Sequence, residues 1–458
     1  MNNNDLFLLY LLLLIFALPF LNRKESISDY VTCRPKLGLN EGTLLLLSHL
    51  LKGFMILILF QFISGRNLFW GIIFNLILFP VILLFEKWIR SLMAVHLNTP
   101  NHTSLTFFRE RSTLHAYHCL LAIMALVAFF AFTAEITWMS LITANIFHIP
   151  QQLVCVALVY LIYVYAVIGG FSAIAKASRL LIVFAFGTIA CLLLYIYLTN
   201  GINTVYQNWM MKQQPLKFNF FSDIFDQGLW FFMMICVYYG YLLTNLSLWH
   251  VNFSLRVNRI RAIYRNAIFC FASLIITLMM IGIFAQSIDT SRTSSLNGIF
   301  YTLSRYSFFF TLLLTASLLC IGLISSMVSL KSIMDAFLLS LPDSGDHDRQ
   351  FFKNVYLTAL GLLLILSVIL QPSYSILILS AKLFSLLCVV SIPCFSLIMI
   401  SREKVSLIRL LPAGAGLAVG LYFFILSFPL LSGLFWGLIT SLCLQTVLWL
   451  CHVSLQRR

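Results

Sequence analysis

Charge is what this chain of 458 residues has least of: Asp, Glu, Lys and Arg together make up 10% of it, against about 25% in an ordinary soluble domain. With 61% hydrophobic residues and a mean hydropathy of +0.97, too few polar side chains remain to coat a water-facing surface, which excludes a soluble globular protein. Glycine is scarce too, 21 residues against 42 Phe, which argues against a glycine-laced channel core. The alternating ten-residue strands of an outer-membrane barrel do not occur. The 11 cysteines show no paired spacing of a zinc site, redox motif or disulfide framework, and read as small apolar side chains. No Walker loop, nucleophile elbow, HExxH or GxGxxG is present, so nothing points to an enzyme or a resident cofactor.

Long apolar runs are abundant. Thirteen are long enough to cross about 30 Å of hydrocarbon: Leu6 to Leu21, Thr43 to Ser64, Leu68 to Phe85, Ala116 to Phe147, Gln152 to Gly170, Leu180 to Leu198 and Leu229 to Val251. The rest are Ala267 to Ile288, Phe308 to Leu339, Val355 to Leu370, Ile376 to Ile400, Leu410 to Leu431 and Gly433 to Val453. An all-α polytopic membrane protein of about 13 transmembrane helices is expected. MNNND before the first run lacks the basic region of a cleaved signal, so that run reads as a retained helix with its N-terminus outside. The positive-inside rule agrees: the loops then facing the cytoplasm hold 21 Lys and Arg, the opposite loops five. Topology thus accounts for the net charge of +14 without a nucleic-acid partner. The C-terminus is expected in the cytoplasm, and a bacterial inner membrane is the expected location.

The chain divides into a first helix with its loop (1–42), a ten-helix core (43–400), and two further helices with a short tail (401–458). No gap between runs is long enough for a soluble domain, so function must reside in the bundle.

Charges inside apolar spans are costly, and those that persist usually face a cavity or a partner. Lys52 and Glu135 sit well inside their spans. Lys331 and Asp335 are one turn apart and read either as an intrahelical pair or as part of a site. Lys382 lies near the outer end of its span and can snorkel to the interface. In Gly322 to Ser329, Ser325 and Ser326 with Gly322 one turn earlier offer hydroxyl and carbonyl oxygens of the kind a hard cation needs. Serines that mediate helix packing and bond their own helix carbonyls are the ordinary alternative.

Four segments, in order and at matching separations, resemble the sodium/solute symporter family of sodium/glucose and sodium/proline carriers. Ser28-Asp29-Tyr30 with Arg34 and Leu37-Gly38 resembles the family's approach to its first core helix; Tyr165 to Ile174 resembles its Gly-Gly run; Thr244 to His250 its Thr-Asn segment; and Gly322 to Ser329 its cation-site helix. The resemblance implies a LeuT-type core of five plus five inverted helices, with broken helices meeting at mid-membrane and Gly53 and Gly240 as break points. It also implies a possible sodium site at Gly322, Ser325 and Ser326, with Na⁺ or H⁺ as coupling ion. Departures accompany the matches. Ala177, Ser178 and Leu181 stand where the family commonly has Thr-Asp and a later Gln. Leu246, His250 and Val251 replace its Gln pair and Arg. Leu50, Leu51 and Lys52 fall where small residues and backbone oxygens serve sodium, so sodium coupling is in doubt and Lys52 is expected to act as a tethered cation in the site.

The resulting expectation is a secondary transporter moving a small polar solute by alternating access, with Ser48, Lys52, Gly53, Glu135, Tyr241 and Thr244 along the substrate path. The alternative is a transport-inactive relative serving as a sensor or as a subunit of a membrane complex. The expected partners are the solute and the lipid bilayer; the sequence does not give an oligomeric state.

Overall fold

The apolar runs fold as helices. A computed structural model describes residues 37–64, 68–96, 104–168, 170–212, 220–288, 296–340, 372–401, 404–426 and 429–456. In chain order the helices are α1 (Leu39–Leu50), α2 (Gly53–Ser64), α3 (Leu68–His96), α4 (Ser104–Glu110), α5 (Leu114–Phe147) and α6 (Gln151–Tyr163), the last continued by a π turn over Val164–Ile168. Next come α7 (Gly170–Asn200), α8 (Ile202–Lys212), α9 (Phe220–Thr244), α10 (Leu246–Ser254) and α11 (Ile260–Ile288). Then follow α12 (Leu296–Tyr306), α13 (Phe308–Ser340), α14 (Tyr374–Ile400), α15 (Leu411–Ile425) and α16 (Leu430–Gln456). Among the described residues the only β pairing is two isolated bridges.

Among the described residues eight helices are long and apolar enough to cross a membrane, and a ninth span results if the bent pair α9–α10 is counted as one. The chain is an integral, all-helical membrane protein. The count of thirteen is not reached among the described residues. The runs Leu6 to Leu21 and Val355 to Leu370 lie outside them, as does the Ser28 to Arg34 part of the family resemblance. Thr43 to Ser64 forms two twelve-residue helices, and Gln152 to Gly170 forms α6 with its π turn.

Helices apolar around their whole circumference are buried on several sides. α13 packs along α5 and α7, and α14 along α9, α5 and α16. α7 instead turns Leu180, Val183, Phe184, Leu194 and Leu198 outward, a lipid-facing stripe. Lys382 lies with its ammonium 5.5 Å over the Phe424 ring.

Two helices are interrupted. α1 ends at Leu50 and α2 begins at Gly53, with Leu51 in extended conformation between them. α9 and α10 meet at Asn245 with a bend of 65°. The second break is therefore not at Gly240. That glycine lies inside α9, where a Cβ would come 2.1 Å from the Cys388 carbonyl oxygen, so it serves close packing against α14. Asn245 interrupts the helix because its side chain accepts from the Leu248 amide at 3.2 Å, a preferred N-cap arrangement.

At the end of the bundle rich in Arg and Lys, backbone pairs and one arginine tie neighbouring segments together. The Leu37 amide donates to the Ser254 carbonyl at 2.9 Å, and Leu37 bridges Leu255. Ser112 bridges Val405, and Arg111 donates from Nη1 to the carbonyls of Ile398, Met399 and Ser401 at 3.0–3.1 Å, capping the end of α14. Partial burial lowers the Arg111 guanidinium from its usual pKa, with Glu110 acting the other way; a guanidinium stays protonated in proteins nonetheless.

Candidate functional site

The gap between α1 and α2 leaves backbone amides without helical partners, and Glu135 of α5 fills the vacancy. Its Oε1 accepts from the Gly53 amide at 2.8 Å and the Ser325 hydroxyl at 2.5 Å. Its Oε2 accepts from the Phe54 amide at 3.3 Å and from the Trp138 indole. All four partners are donors, a set that suits an ionised carboxylate, which only accepts. The carboxylate also faces the N-terminus of α2, where the helix dipole favours negative charge.

The positive charge comes from the same break. Lys52 is 1% exposed; its Nζ donates to Ser329 Oγ at 2.7 Å and to the Ser325 carbonyl at 3.4 Å, and sits 5.0 Å from the Tyr241 ring centroid. Ser325 thus links the two charges, its hydroxyl on Glu135 and its carbonyl beside Lys52. Buried opposite charges survive where hydrogen bonds satisfy both, and here they do. Two glycines allow the helices to come this close. A Cβ on Gly53 would lie 2.7 Å from Trp138 and 3.2 Å from Gly322 Cα; one on Gly322 would lie 2.5 Å from Trp138 and 2.6 Å from the Met139 sulfur.

Tyrosines complete the seam between the two breaks. Tyr241 donates to the His49 carbonyl at 2.8 Å and Tyr238 to the Leu50 carbonyl at 3.1 Å, so the carbonyls freed at the end of α1 are already occupied. Lys52, Gly53, Glu135, Tyr241, Gly322 and Ser325 are therefore neighbours. Ser48, Thr244 and Ser326 turn their hydroxyls back onto their own helices, toward Leu45, Gly240 and Gly322. Ser329, Trp138 and Tyr238, absent from the expected set, are direct partners. Ser329 follows Ser325 by one turn on the same helix face, a spacing visible in the sequence once a long lysine side chain is allowed to reach along that face.

Toward the basic end the polar face of α13 continues. Ser332 Oγ accepts from the Ser247 amide and donates to Asn245 Oδ1, both at 3.2 Å, and Ser247 Oγ pairs with His49 Nε2 at 2.8 Å. One turn further, Lys331 donates to Asp335 Oδ1, whose Oδ2 faces His250 Nε2 of α10 at 3.6 Å. Near the opposite end lies a cleft of ≈ 440 Å³ lined by Asn145, His148, Phe300, Tyr301 and Thr311 among others. The lining reaches Ile142, about two helical turns beyond Glu135.

No family model and no curated protein sequence matches the chain. Solved structures do. A Na⁺-coupled sialic acid symporter in its substrate-bound outward-open state superposes with a TM-score of 0.72 at 12% identity, over 96% of this chain and 95% of that one. A manganese transporter of Eremococcus coleocola, in a single-residue mutant form, superposes with a TM-score of 0.57 at 12% identity, over 94% and 99%. The same transporter bound to an aromatic bis-isothiourea compound gives 0.54 at 11% identity, over 92% and 99%. Both neighbours are membrane transporters and neither is an enzyme. At this identity the likeness is one of fold.

Proposed function

We propose that the chain is a secondary transporter that moves a small polar solute by alternating access and leaves sodium unbound at the helix break, because its own Lys52 ammonium stands there. One observation carries the reading: Lys52 Nζ lies 2.7 Å from Ser329 Oγ and 3.4 Å from the Ser325 carbonyl, on the helix face where the family resemblance puts cation oxygens. A second unit charge about 4 Å away would cost about 4 kcal/mol at an effective dielectric of 20, nearly three orders of magnitude in affinity. Ser325 is further committed to Glu135 and Ser326 to Gly322, which supports the same conclusion.

In this reading residues 43–400 form the five-plus-five inverted repeat of a sodium/solute symporter relative, with α1–α2 and α9–α10 as the broken pair. The Tyr241 and Tyr238 bonds across the two breaks support that pairing. The basic end faces the cytoplasm of a bacterial inner membrane, sealed by Leu37, Leu255 and Arg111, while the cleft faces outside. Any coupling uses protons at Lys52 or Glu135. For Glu135 to take a proton, one of its four donors must move aside, which ties protonation to opening of the break.

The test is uptake of organic acids, amino acids and sugars into proteoliposomes under imposed sodium or proton gradients. Uptake indifferent to sodium is expected; a severalfold stimulation by sodium at constant pH overturns the assignment. A second reading, a transport-inactive sensor or subunit, is favoured by the filled core at the break, where the rings of Phe54, Phe384 and Tyr241 pack at centroid distances of 5.1–5.9 Å. Absence of uptake for every solute in the panel supports that alternative.

A further inference from the structure

Neither the helix-break centre nor the cleft involves the seam where α11 packs along α3. Phe79 of α3 meets Phe269 of α11 edge-on there, with ring centroids 5.5 Å apart. As α3 advances from Phe79 to Glu86, its neighbours on α11 fall back from Phe269 to Tyr264, so the two helices are antiparallel. Away from the basic end the seam stays apolar, with Leu76 and Ile276 both exposed. Toward the basic end it turns cationic on both walls. Lys87 lies eight residues past Phe79 and Arg261 eight residues before Phe269, each about 12 Å along its helix. Arg265 stands between Arg261 and Phe269, one turn from each, and Lys87, Arg261, Arg265 and Phe269 are all exposed among the described residues.

These cations lack a counter-charge from the described protein. Glu41 is held by Arg179, Asp335 by Lys331, and Glu86, one residue before Lys87, is buried with an oxygen 3.6 Å from Arg90 Nε. Among the described residues no carboxylate pairs with Lys87, Arg261, Arg265 or with Arg259 just ahead of α11. The first turn of α11 carries no acid either, although a helix N-terminus favours negative charge and disfavours Arg261 there. The positive-inside rule explains which end of the bundle holds these residues. It does not explain why the arginines line up, at four-residue steps, with an exposed apolar stripe.

We propose that the α3–α11 seam is the seat of one anionic phospholipid, its phosphate between Lys87, Arg261 and Arg265 and an acyl chain along Phe79, Phe269 and Ile276. Arginine suits a phosphate because its planar fork gives two parallel N–H···O bonds. A phosphate at the start of α11 also offsets the charge of Arg261 at the positive end of the helix. A lipid, and not a soluble phosphate, is the occupant because the cationic stretch runs directly into apolar surface. Arg261 to Ile276 covers about 22 Å of helix, more than the roughly 15 Å depth of one leaflet's hydrocarbon. The seat involves neither solute nor coupling ion, so it stands apart from the transport reading.

The test adds dioleoyl phosphatidylglycerol or dioleoyl phosphatidylcholine to the delipidated full chain in detergent and counts bound lipids by native mass spectrometry. A Lys or Arg beside anionic lipid is worth about fivefold in affinity, so three should favour phosphatidylglycerol about a hundredfold, with a single tight copy per chain. Arg261→Gln/Arg265→Gln should weaken that copy about 25-fold. Arg261→Lys/Arg265→Lys, which keeps the charge but loses the planar fork, should fall between. Lys176→Gln/Lys404→Gln removes the same charge from other helices and should leave the tight copy in place. Excess glycerol phosphate should not displace it. Equal affinity for the two lipids, undiminished binding in Arg261→Gln/Arg265→Gln, an equal loss in Lys176→Gln/Lys404→Gln, or displacement by glycerol phosphate overturns the proposal.

Discussion

Two buried lysine–carboxylate clusters lie along the length of α13 and are built in opposite ways. The centre at Lys52 and Glu135 draws on α2, α5 and α13 together with the break preceding α2, and its carboxylate is met by donors of three kinds: two amides, a hydroxyl and an indole. The cluster at Lys331 and Asp335 is made within a single turn and faces His250 of α10 at 3.6 Å. The first cannot be dismantled without orphaning backbone at a helix break. The second is a local ion pair beside the short helix that follows the 65° bend. Charge count is the same in both, so what separates a structural keystone from a local pair is how many elements the charge satisfies.

The sharpest way to break this comparison is to neutralise each cluster in the same manner. Lys52→Met/Glu135→Gln removes the charges but leaves at least two donors at the break without an acceptor. It should lower the stability of the purified protein by about 3–5 kcal/mol, at 1–3 kcal/mol per buried orphan. Lys331→Met/Asp335→Asn should stay within about 1 kcal/mol of the parent, because paired removal of a local buried ion pair is often neutral or stabilising. Thermal unfolding in detergent compares the two; equal losses remove the distinction. Gly240→Ala tests the seam that holds the centre. Its Cβ would meet the Cys388 carbonyl at 2.1 Å, so α9 and α14 must separate, at about 1–3 kcal/mol. Smallest is Asn245→Ala, which loses the cap of α10 and should cost about 1 kcal/mol. Its effect should fall mainly on amide hydrogen exchange in residues 246–254, and a global loss instead would mean that the bend is fixed by packing and not by its cap.

The membrane character of the fold was legible because composition alone forbids any other solvent, and the apolar runs locate the long helices, although α3, α7, α9 and α11 extend well beyond their runs at one end and the short α4, α8 and α12 lie outside them. The breaks were half legible. Gly53 points to the first, since only a residue without Cβ fits against Trp138 and Gly322. The second was misassigned to Gly240, because glycine signals both broken and crowded helices, while the deciding signal was Asn245 ahead of Leu246-Ser247-Leu248. Lys331 and Asp335 could be paired from their four-residue spacing. Gly53, Glu135, Lys52 and Ser325 could not, since contacts such as Gly53 to Glu135 and Lys52 to Ser325, 82 and 273 positions apart, form only through packing that no periodicity encodes. His49 and His250 were visible as polar residues in apolar runs, but their partners Ser247 and Asp335 emerge only from how α1, α10 and α13 pack.

The occupation of the cation position by Lys52 is tested most directly by equilibrium binding of radiolabelled sodium to the purified protein, with no solute present. At neutral pH the wild type should show no saturable sodium binding that Ser325→Ala or excess unlabelled sodium can remove. One sodium ion bound per chain, displaced by unlabelled sodium and lost in Ser325→Ala while Lys52 is intact, would contradict the account.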